Sequence, residues 1–151
     1  IINLEKKLPF KTNSVKEIIA YHVLEHIENF VPMMHEMHRI CKKNAKIYIK
    51  VPFYTSCEQA TDPTHLRQFT PFTFNYFNQN SGISKYSHEV GSSNKDLFEI
   101  ERVKINYGLG RIGMLNWIMN PIINLNHSLY CKLFANILPA SEIQFELKVL
   151  K

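Results

Sequence analysis

Two histidines and a glutamate stand close together early in the chain, in the string His22-Val23-Leu24-Glu25-His26. This spacing matches H-x-x-E-H, in which two histidines one helical turn apart hold zinc and the glutamate activates water. The string directly follows an apolar run typical of a strand, and no obvious third ligand lies on a nearby predicted helix. We therefore expect no metal site, and a zinc hydrolase that uses His22 and His26 is retained only as an alternative function.

Other patterns for nucleophilic or metal chemistry are weaker. His35 and His38 are one residue too close for H-E-x-x-H, and a solvated helix face explains them better. No serine lies in a G-x-S-x-G turn, and no phosphate-binding glycine loop is present. The 3 cysteines are far apart and form no C-x-x-C pair. We therefore do not expect a disulfide framework, and a cytoplasmic location fits best.

Composition indicates a folded protein of about one domain. The chain has 151 residues, of which 45% are hydrophobic and 21% charged, as is ordinary for a globular protein. The net charge of +5 is spread along the sequence rather than concentrated with aromatic residues or along one helix. We therefore expect no nucleic-acid partner.

Hydrophobic periodicity predicts an α/β order with an antiparallel finish. A short apolar run and a strict alternation predict two strands, and a 3.6-residue period predicts the helix between them. A long connection containing His65 follows, then a helix that starts at Thr70-Pro71. Two further strands can pair as a hairpin. The predicted elements are strand Glu17–Tyr21, helix Asn29–Cys41, strand Lys46–Val51, connection Phe53–Phe69, strand Phe98–Tyr107 and strand Ile143–Leu150.

The segment 108–141 is apolar and carries only two charged residues, Arg111 and Lys132. Asparagines interrupt it too often for a membrane span, and three of them recur every fourth residue as a polar stripe. We predict two short helices, with Asn120-Pro121 at the start of the second. A helical insertion packed on its own domain is one interpretation; a cover over an apolar substrate or a membrane-surface helix is the other.

Several strings taken together resemble the second half of a class I S-adenosylmethionine-dependent methyltransferase of the type 11 kind. The resemblance implies a partial Rossmann-like fold: a mixed sheet with parallel strands, an antiparallel carboxyl-terminal hairpin and a helical insertion. Glu17–Tyr21 would be the fourth strand and Ala45–Val51 the fifth. The strings that carry the resemblance are Leu8–Phe10, Glu17–Ile27, Glu36–Lys42, Ile47–Pro52, Asp62–Pro71 and Glu146–Lys151.

The resemblance also implies where S-adenosylmethionine would bind. Ligands of open α/β sheets lie at the carboxyl ends of the strands. Tyr21, His22 and Val23 would line the methionine end of the cofactor, and Asn3 and Leu4 would contact the adenine. Methyl transfer depends mainly on positioning. If the acceptor must lose a proton, His65 is the candidate base, since histidine suits that task near neutral pH; the alternative is that it only stabilises its loop.

The resemblance leaves features of the family unaccounted for. No glycine-rich turn and no second-strand acidic residue precede the matching strings, so we expect residues 1–151 to be one truncated methyltransferase domain that is inactive alone. The methyl acceptor would be a small molecule, a glycan or a lipid-linked compound. We also expect self-association, through the exposed edge of the fourth strand or through segment 108–141, and contact of that segment with a membrane surface. A non-catalytic interaction module on a decayed methyltransferase fold is the alternative function.

Overall fold

The protein forms one mixed sheet with helices beside it. A computed structural model describes residues 3–78, 96–108 and 113–151, with only the backbone of residues 113 and 114. Two 3-10 turns, Leu24–His26 and Thr73–Phe77, and a π-helical turn, Tyr130–Phe134, accompany the main elements. These elements are β1 Val15–Tyr21, α1 Phe30–Ile40, β2 Cys41–Pro52, α2 Cys57–Thr61, β3 Phe98–Asn106, α3 Gly113–Leu125, α4 His127–Leu129 and β4 Glu142–Val149.

The four strands lie in the order β1-β2-β4-β3. The pair β1 and β2 is parallel, with Tyr21 opposite Lys50, and α1 supplies the crossover that a parallel pair requires. The strand β4 pairs antiparallel with both β2 and β3. The predicted mixed sheet, with its antiparallel carboxyl-terminal hairpin, is therefore confirmed.

The core lies between the sheet and α1. Along β2, Ile47, Ile49 and Val51 are buried, whereas Lys46 and Lys50 of the opposite face are partly exposed. The alternation of β4 follows the same rule. The helix α1 buries a stripe at helical spacing, as predicted, formed by Phe30, Met33, Met34, Met37 and Ile40. Asn44, within β2, has φ of 61°, in the left-handed region that asparagine tolerates better than most residues.

The helical insertion differs from the prediction. The helix α3 runs from Gly113 to Leu125 straight through Pro121. The next helix, α4, is capped by Asn126, whose side chain accepts a hydrogen bond from Leu129 N (2.9 Å). The predicted boundary at Asn120-Pro121 is therefore wrong. The adjacent residues 109–112, with Arg111, lie outside the described part. The helix predicted from Thr70 is also shorter, limited to the 3-10 turn Thr73–Phe77 with Phe74 and Phe77 buried.

The asparagine stripe of α3 explains why no helix boundary lies at Asn120-Pro121, since these side chains bind another strand instead of capping a helix. The side-chain amide of Asn124 makes the two hydrogen bonds that a paired strand would make with Ile105. Its Oδ1 accepts from Ile105 N and its Nδ2 donates to Ile105 O, both at 2.8 Å. Asn120 Oδ1 accepts from Tyr107 N, also at 2.8 Å. Ile105 lies on the edge strand β3, so the stripe satisfies backbone groups that would otherwise be unpaired. The interpretation of a helical insertion packed on its own domain is supported by these contacts.

The opposite side of this insertion is apolar and faces solvent. Trp117, Leu125 and Ile137 keep 79%, 83% and 74% of their surface exposed. Ile118, Ile122, Leu129, Leu133 and Phe134 are exposed beside them. We call these eight side chains the insertion surface. Among the described residues, no helix is long and apolar enough to cross a membrane.

Replacing Asn124 tests the role of the stripe. We expect Asn124→Leu to lower the free energy of unfolding by about 1–3 kcal/mol, because Ile105 loses a donor and an acceptor at once. Asn124→Asp should also destabilise the fold, since a carboxylate would face the Ile105 carbonyl. Urea denaturation measures both. Asn136→Ala, at an exposed position, is the control; a loss equal to that of the control would contradict the assigned role.

The insertion surface makes self-association testable. We expect sedimentation velocity to show concentration-dependent association, because exposed apolar area of this extent is stabilised by burial. Trp117→Gln with Leu125→Gln should shift the protein towards monomer. Ile19→Lys, on the outer strand β1, tests the alternative edge contact. A wild-type monomer at all concentrations would contradict self-association by either route.

Candidate functional site

Three chain segments meet at the carboxyl edge of the parallel strands. The strand β1 ends at Tyr21, β2 ends at Pro52, and β4 begins at Glu142 opposite Pro52. His22 N donates to Lys50 O (2.8 Å), which extends the β1–β2 pairing by one residue. Side chains of His22, Pro52 and Glu142 therefore lie at one place, and they line one cleft.

His22 leaves the strand with an unusual backbone. Its φ is 52°, in the left-handed region that residues with a side chain rarely adopt. This turn directs the half-exposed imidazole between two carboxylates. His22 Nδ1 lies 3.4 Å from Glu25 Oε1, and Nε2 lies 3.6 Å from Glu142 Oε2. The string that resembled a zinc motif thus begins with a strand exit, and its two histidines do not lie on one helix.

Glu142 is the most connected acid at this edge. Its Oε2 accepts from Lys50 Nζ (2.7 Å), and its Oε1 accepts from Asn106 Nδ2 (2.9 Å) and Gln144 Nε2 (3.0 Å). Burial by itself would raise the pKa of Glu142, but the hydrogen bonds from Lys50, Asn106 and Gln144 outweigh it, and the pKa lies below the usual value. Glu142 is therefore ionised at neutral pH and paired with the Lys50 ammonium.

The connection after β2 returns to the turn Leu24–His26. Leu66 N donates to Glu25 O (2.8 Å), and the Arg67 guanidinium donates to the carbonyls of Ile27 and Glu28. Ser56 caps α2 by accepting from Gln59 N (3.0 Å). These bonds place His65 beside His26, with ring centroids 4.7 Å apart. Sequence periodicity predicted only a loop here. The short helix α2 and its cap were not predicted.

The hydrogen bond of His65 fixes which ring nitrogen is free. Its Nδ1 lies 3.2 Å from Gln59 O, and a carbonyl can only accept, so Nδ1 carries the hydrogen. In the neutral ring Nε2 then keeps its electron pair. Asp62 Oδ2 lies 3.7 Å from Nε2, and the hydrogen bonds from Thr64 to Asp62 hold the pKa of that carboxyl below its usual value. His65 is thus positioned as a base or a ligand.

The cleft that these segments enclose measures about 400 Å³. The structure brings two predicted site residues, His22 and His65, to the same cavity. Glu142 and Asp62 were missed by sequence reasoning. Glu142 starts a strand without any motif, and Asp62 was noted only as part of the connection. The residues that line the cleft are His22, Pro52, Cys57, Glu58, Thr61, Asp62, His65, Ser141 and Glu142.

The other predicted cofactor residues are distributed around β1. Leu4 and Val23 line an apolar groove of about 360 Å³ together with Met33 and Met37. Tyr21 lines a separate cavity on the polar face of the sheet. Asn3 is exposed, and its Oδ1 accepts from Glu5 N (2.8 Å). Among the described residues, these five side chains do not share one pocket, although Tyr21 ends β1 and His22 and Val23 follow it directly.

Comparison with known proteins identifies the fold. Residues 2–49, which hold β1, α1 and most of β2, match the family model described as methyltransferase domain. No curated protein sequence matches the chain.

Solved structures match over nearly the whole chain. A chain of the complex between the Haloferax volcanii Trm112 methyltransferase activator and a methyltransferase gives a TM-score of 0.57 at 9% identity, covering 99% of this chain and 60% of that one. The cyclase SpnF gives 0.53 at 11% identity, covering 99% and 55%. A SAM-dependent methyltransferase from Archaeoglobus fulgidus gives 0.50 at 17% identity, covering 92% and 61%. This chain therefore spans between 55% and 61% of those proteins.

These identities establish shared architecture rather than shared substrate. The family match covers the strand, helix and strand that build the parallel pair, and the structural matches extend the likeness to the antiparallel strands. On these grounds the chain has the Rossmann-like fold seen in S-adenosylmethionine-dependent methyltransferases.

Proposed function

We propose that this chain forms the carboxyl-terminal part of a methyltransferase active site, with the cleft between His22 and His65 as the place where the methyl acceptor binds. The observation that supports this most is the convergence of those two distant residues at the carboxyl edge of β1 and β2, where open α/β sheets bind ligands. The acceptor would be a small molecule, a glycan or a lipid-linked compound.

One side of the cofactor site would be formed by residues from the start of the chain and from the end of β1. Leu4 and Val23 offer an apolar wall suited to a flat purine ring, and Asn3 Oδ1 has a second lone pair for an amine. Tyr21 and His22 would flank the methionine end. S-adenosylmethionine, when bound, supplies an electrophilic methyl group. We propose these five residues as cofactor contacts and expect the remaining contacts to come from outside the described strands.

The residues of the cleft would orient the acceptor and remove its proton. Glu142 and Asp62 provide acceptor oxygens for hydroxyl or amine groups, and Nε2 of His65 provides a free electron pair. Because His65 is held by Gln59 O and by its packing on His26, it would meet the acceptor in a fixed orientation. We propose His65 as the residue that assists loss of the acceptor proton.

Replacement of His65 tests this role. Using the protein that carries this chain, transfer of label from tritiated S-adenosylmethionine into small-molecule and lipid extracts should fall about 10²–10⁴-fold in His65→Gln, the range typical of a lost acid–base group. Binding of S-adenosylhomocysteine, measured by calorimetry, should be unchanged. His35→Gln, on α1 and outside the cleft, is the control. Full transfer activity in His65→Gln would remove His65 from the mechanism.

Glu142 gives the site a predicted pH dependence. Its pKa is depressed in the folded protein, so its charge stabilises the fold at neutral pH, and that stability is lost as pH falls below the usual glutamate value of 4.5 towards the folded-state value. Glu142→Gln should lower the free energy of unfolding by about 1–3 kcal/mol at pH 7.

In Glu142→Gln, folding stability should fall less steeply as the pH is lowered, because the carboxylate that titrates is gone. We call this low-pH decrease the acid limb. Thermal denaturation from about pH 3 to about pH 7, the range in which carboxylates titrate, measures this pH dependence of stability. Glu28→Gln, at an exposed position, is the matched control. An unchanged acid limb in Glu142→Gln would contradict the assigned contribution.

A further inference from the structure

We propose that Glu25, His26 and His65 form a binding site for one divalent transition-metal ion beside the cleft. One ligand atom from each residue lies within 4.8 Å of the ligand atoms of the other two. The sequence led us to expect no metal, because the string from His22 to His26 lacked a third ligand. The structure brings a histidine from the connection after β2 to that string, and it leaves His22 out of the group.

Glu25 is the strongest reason for the proposal. The residue is completely buried, at 0% exposure, and within residues 3–78, 96–108 and 113–151 neither carboxylate oxygen has a hydrogen-bond partner. His22 Nδ1 lies 3.4 Å from Glu25 Oε1. A buried carboxylate without partners costs folding free energy, and natural proteins compensate such groups by pairing or by metal coordination. A cation at this position would satisfy both oxygens.

His26 is held in the orientation of a ligand. The Thr64 hydroxyl donates to Asp62 Oδ1 (2.6 Å), since a carboxylate can only accept. The Thr64 oxygen therefore accepts from His26 Nδ1 (2.9 Å), and Nδ1 must carry the hydrogen. The chain of bonds from His26 through Thr64 to Asp62 leaves Nε2 of His26 as the atom with a free electron pair.

His65 is prepared in the same way. Its Nδ1 hydrogen bonds to Gln59 O, so its Nε2 is also free. Metal-binding histidines almost always donate the second ring N–H to a carboxylate, a carbonyl or water, because this fixes the tautomer and the ring plane. Both rings of the cluster show this arrangement, and they do so through partners in the connection 53–69.

The donor set indicates the class of ion. Two imidazoles and one carboxylate suit zinc and other late first-row ions, whereas magnesium and calcium prefer oxygen ligands. Three protein ligands leave a position open, and His65 lines the cleft, so this position would face the acceptor space. While an ion is bound, Nε2 of His65 cannot take a proton; the base role proposed above therefore applies to the ion-free protein. The ion would then assist acceptor deprotonation by lowering the pKa of a bound oxygen.

Calorimetric titration of the purified, chelator-treated protein with Zn²⁺ tests the site. We expect one Zn²⁺ per chain, with affinity reduced at least about tenfold in Glu25→Gln, His26→Ala and His65→Ala, as for lost ligands or their supports. His35→Ala, which removes a histidine from α1, should bind like the wild type. Absence of binding, or equal affinity in all variants, would overturn the proposal.

Histidine footprinting of the wild-type protein makes the test independent of how the variants fold. Diethyl pyrocarbonate modifies free imidazole nitrogens, and mass spectrometry locates the product. We expect Zn²⁺ to protect His26 and His65 and to leave His35 reactive. Protection of His35 to the same extent, or of neither cluster histidine, would show adventitious binding only. Neither readout needs a methyl acceptor, so failure of the ion site leaves the methyltransferase proposal standing, and the reverse also holds.

Discussion

The parallel pairing of β1 with β2 is the constraint on which the site depends. Parallel strands need a crossover, which α1 supplies, and they end at the same edge of the sheet. Because His22 continues the pairing through Lys50, the first residue after β1 is fixed relative to β2. The antiparallel strand β4 then starts at this edge and delivers Glu142. Backbone hydrogen bonds thus decide which side chains can meet.

Hydrogen bonds outside the strand pairing position the remaining segments. The connection after β2 is attached to the turn Leu24–His26 by Leu66 and Arg67, and this attachment carries His65 to the cleft. At the far side of the sheet, Asn120 and Asn124 perform a comparable task by pairing the edge of β3. In both places, hydrogen bonds outside the regular strand pairing fix the position of a whole segment.

Local patterns predicted the elements whose structure is decided locally. The alternation of Lys46–Val51 and the helical period from Phe30 to Ile40 follow from neighbours a few residues away. The boundary at Asn120-Pro121 failed because those asparagine amides bind β3, a contact between distant segments. The helix α3 therefore turns its polar stripe towards the sheet, the opposite of the usual amphipathic helix, whose apolar face packs on the core.

The candidate site was predictable only in part, because some of its residues are brought together by contacts between distant segments. His22 and His65 were found from the resemblance to a known family, and the fold places both at one cleft. Glu142 carries no motif, and its importance comes from Lys50, Asn106 and Gln144, which are remote or on another strand. The approach of His65 to Glu25 and His26 depends on the course of a long connection, which periodicity does not determine.

The central claim is that ligand binds where the parallel strands end. Amide chemical-shift mapping by NMR, with S-adenosylhomocysteine added to the isotope-labelled protein that carries this chain, tests it most directly. We expect the largest shifts within these residues at Tyr21, His22 and Val23, with smaller ones near Leu4. Shifts confined to the insertion surface, or to the outer strand β3, would contradict it.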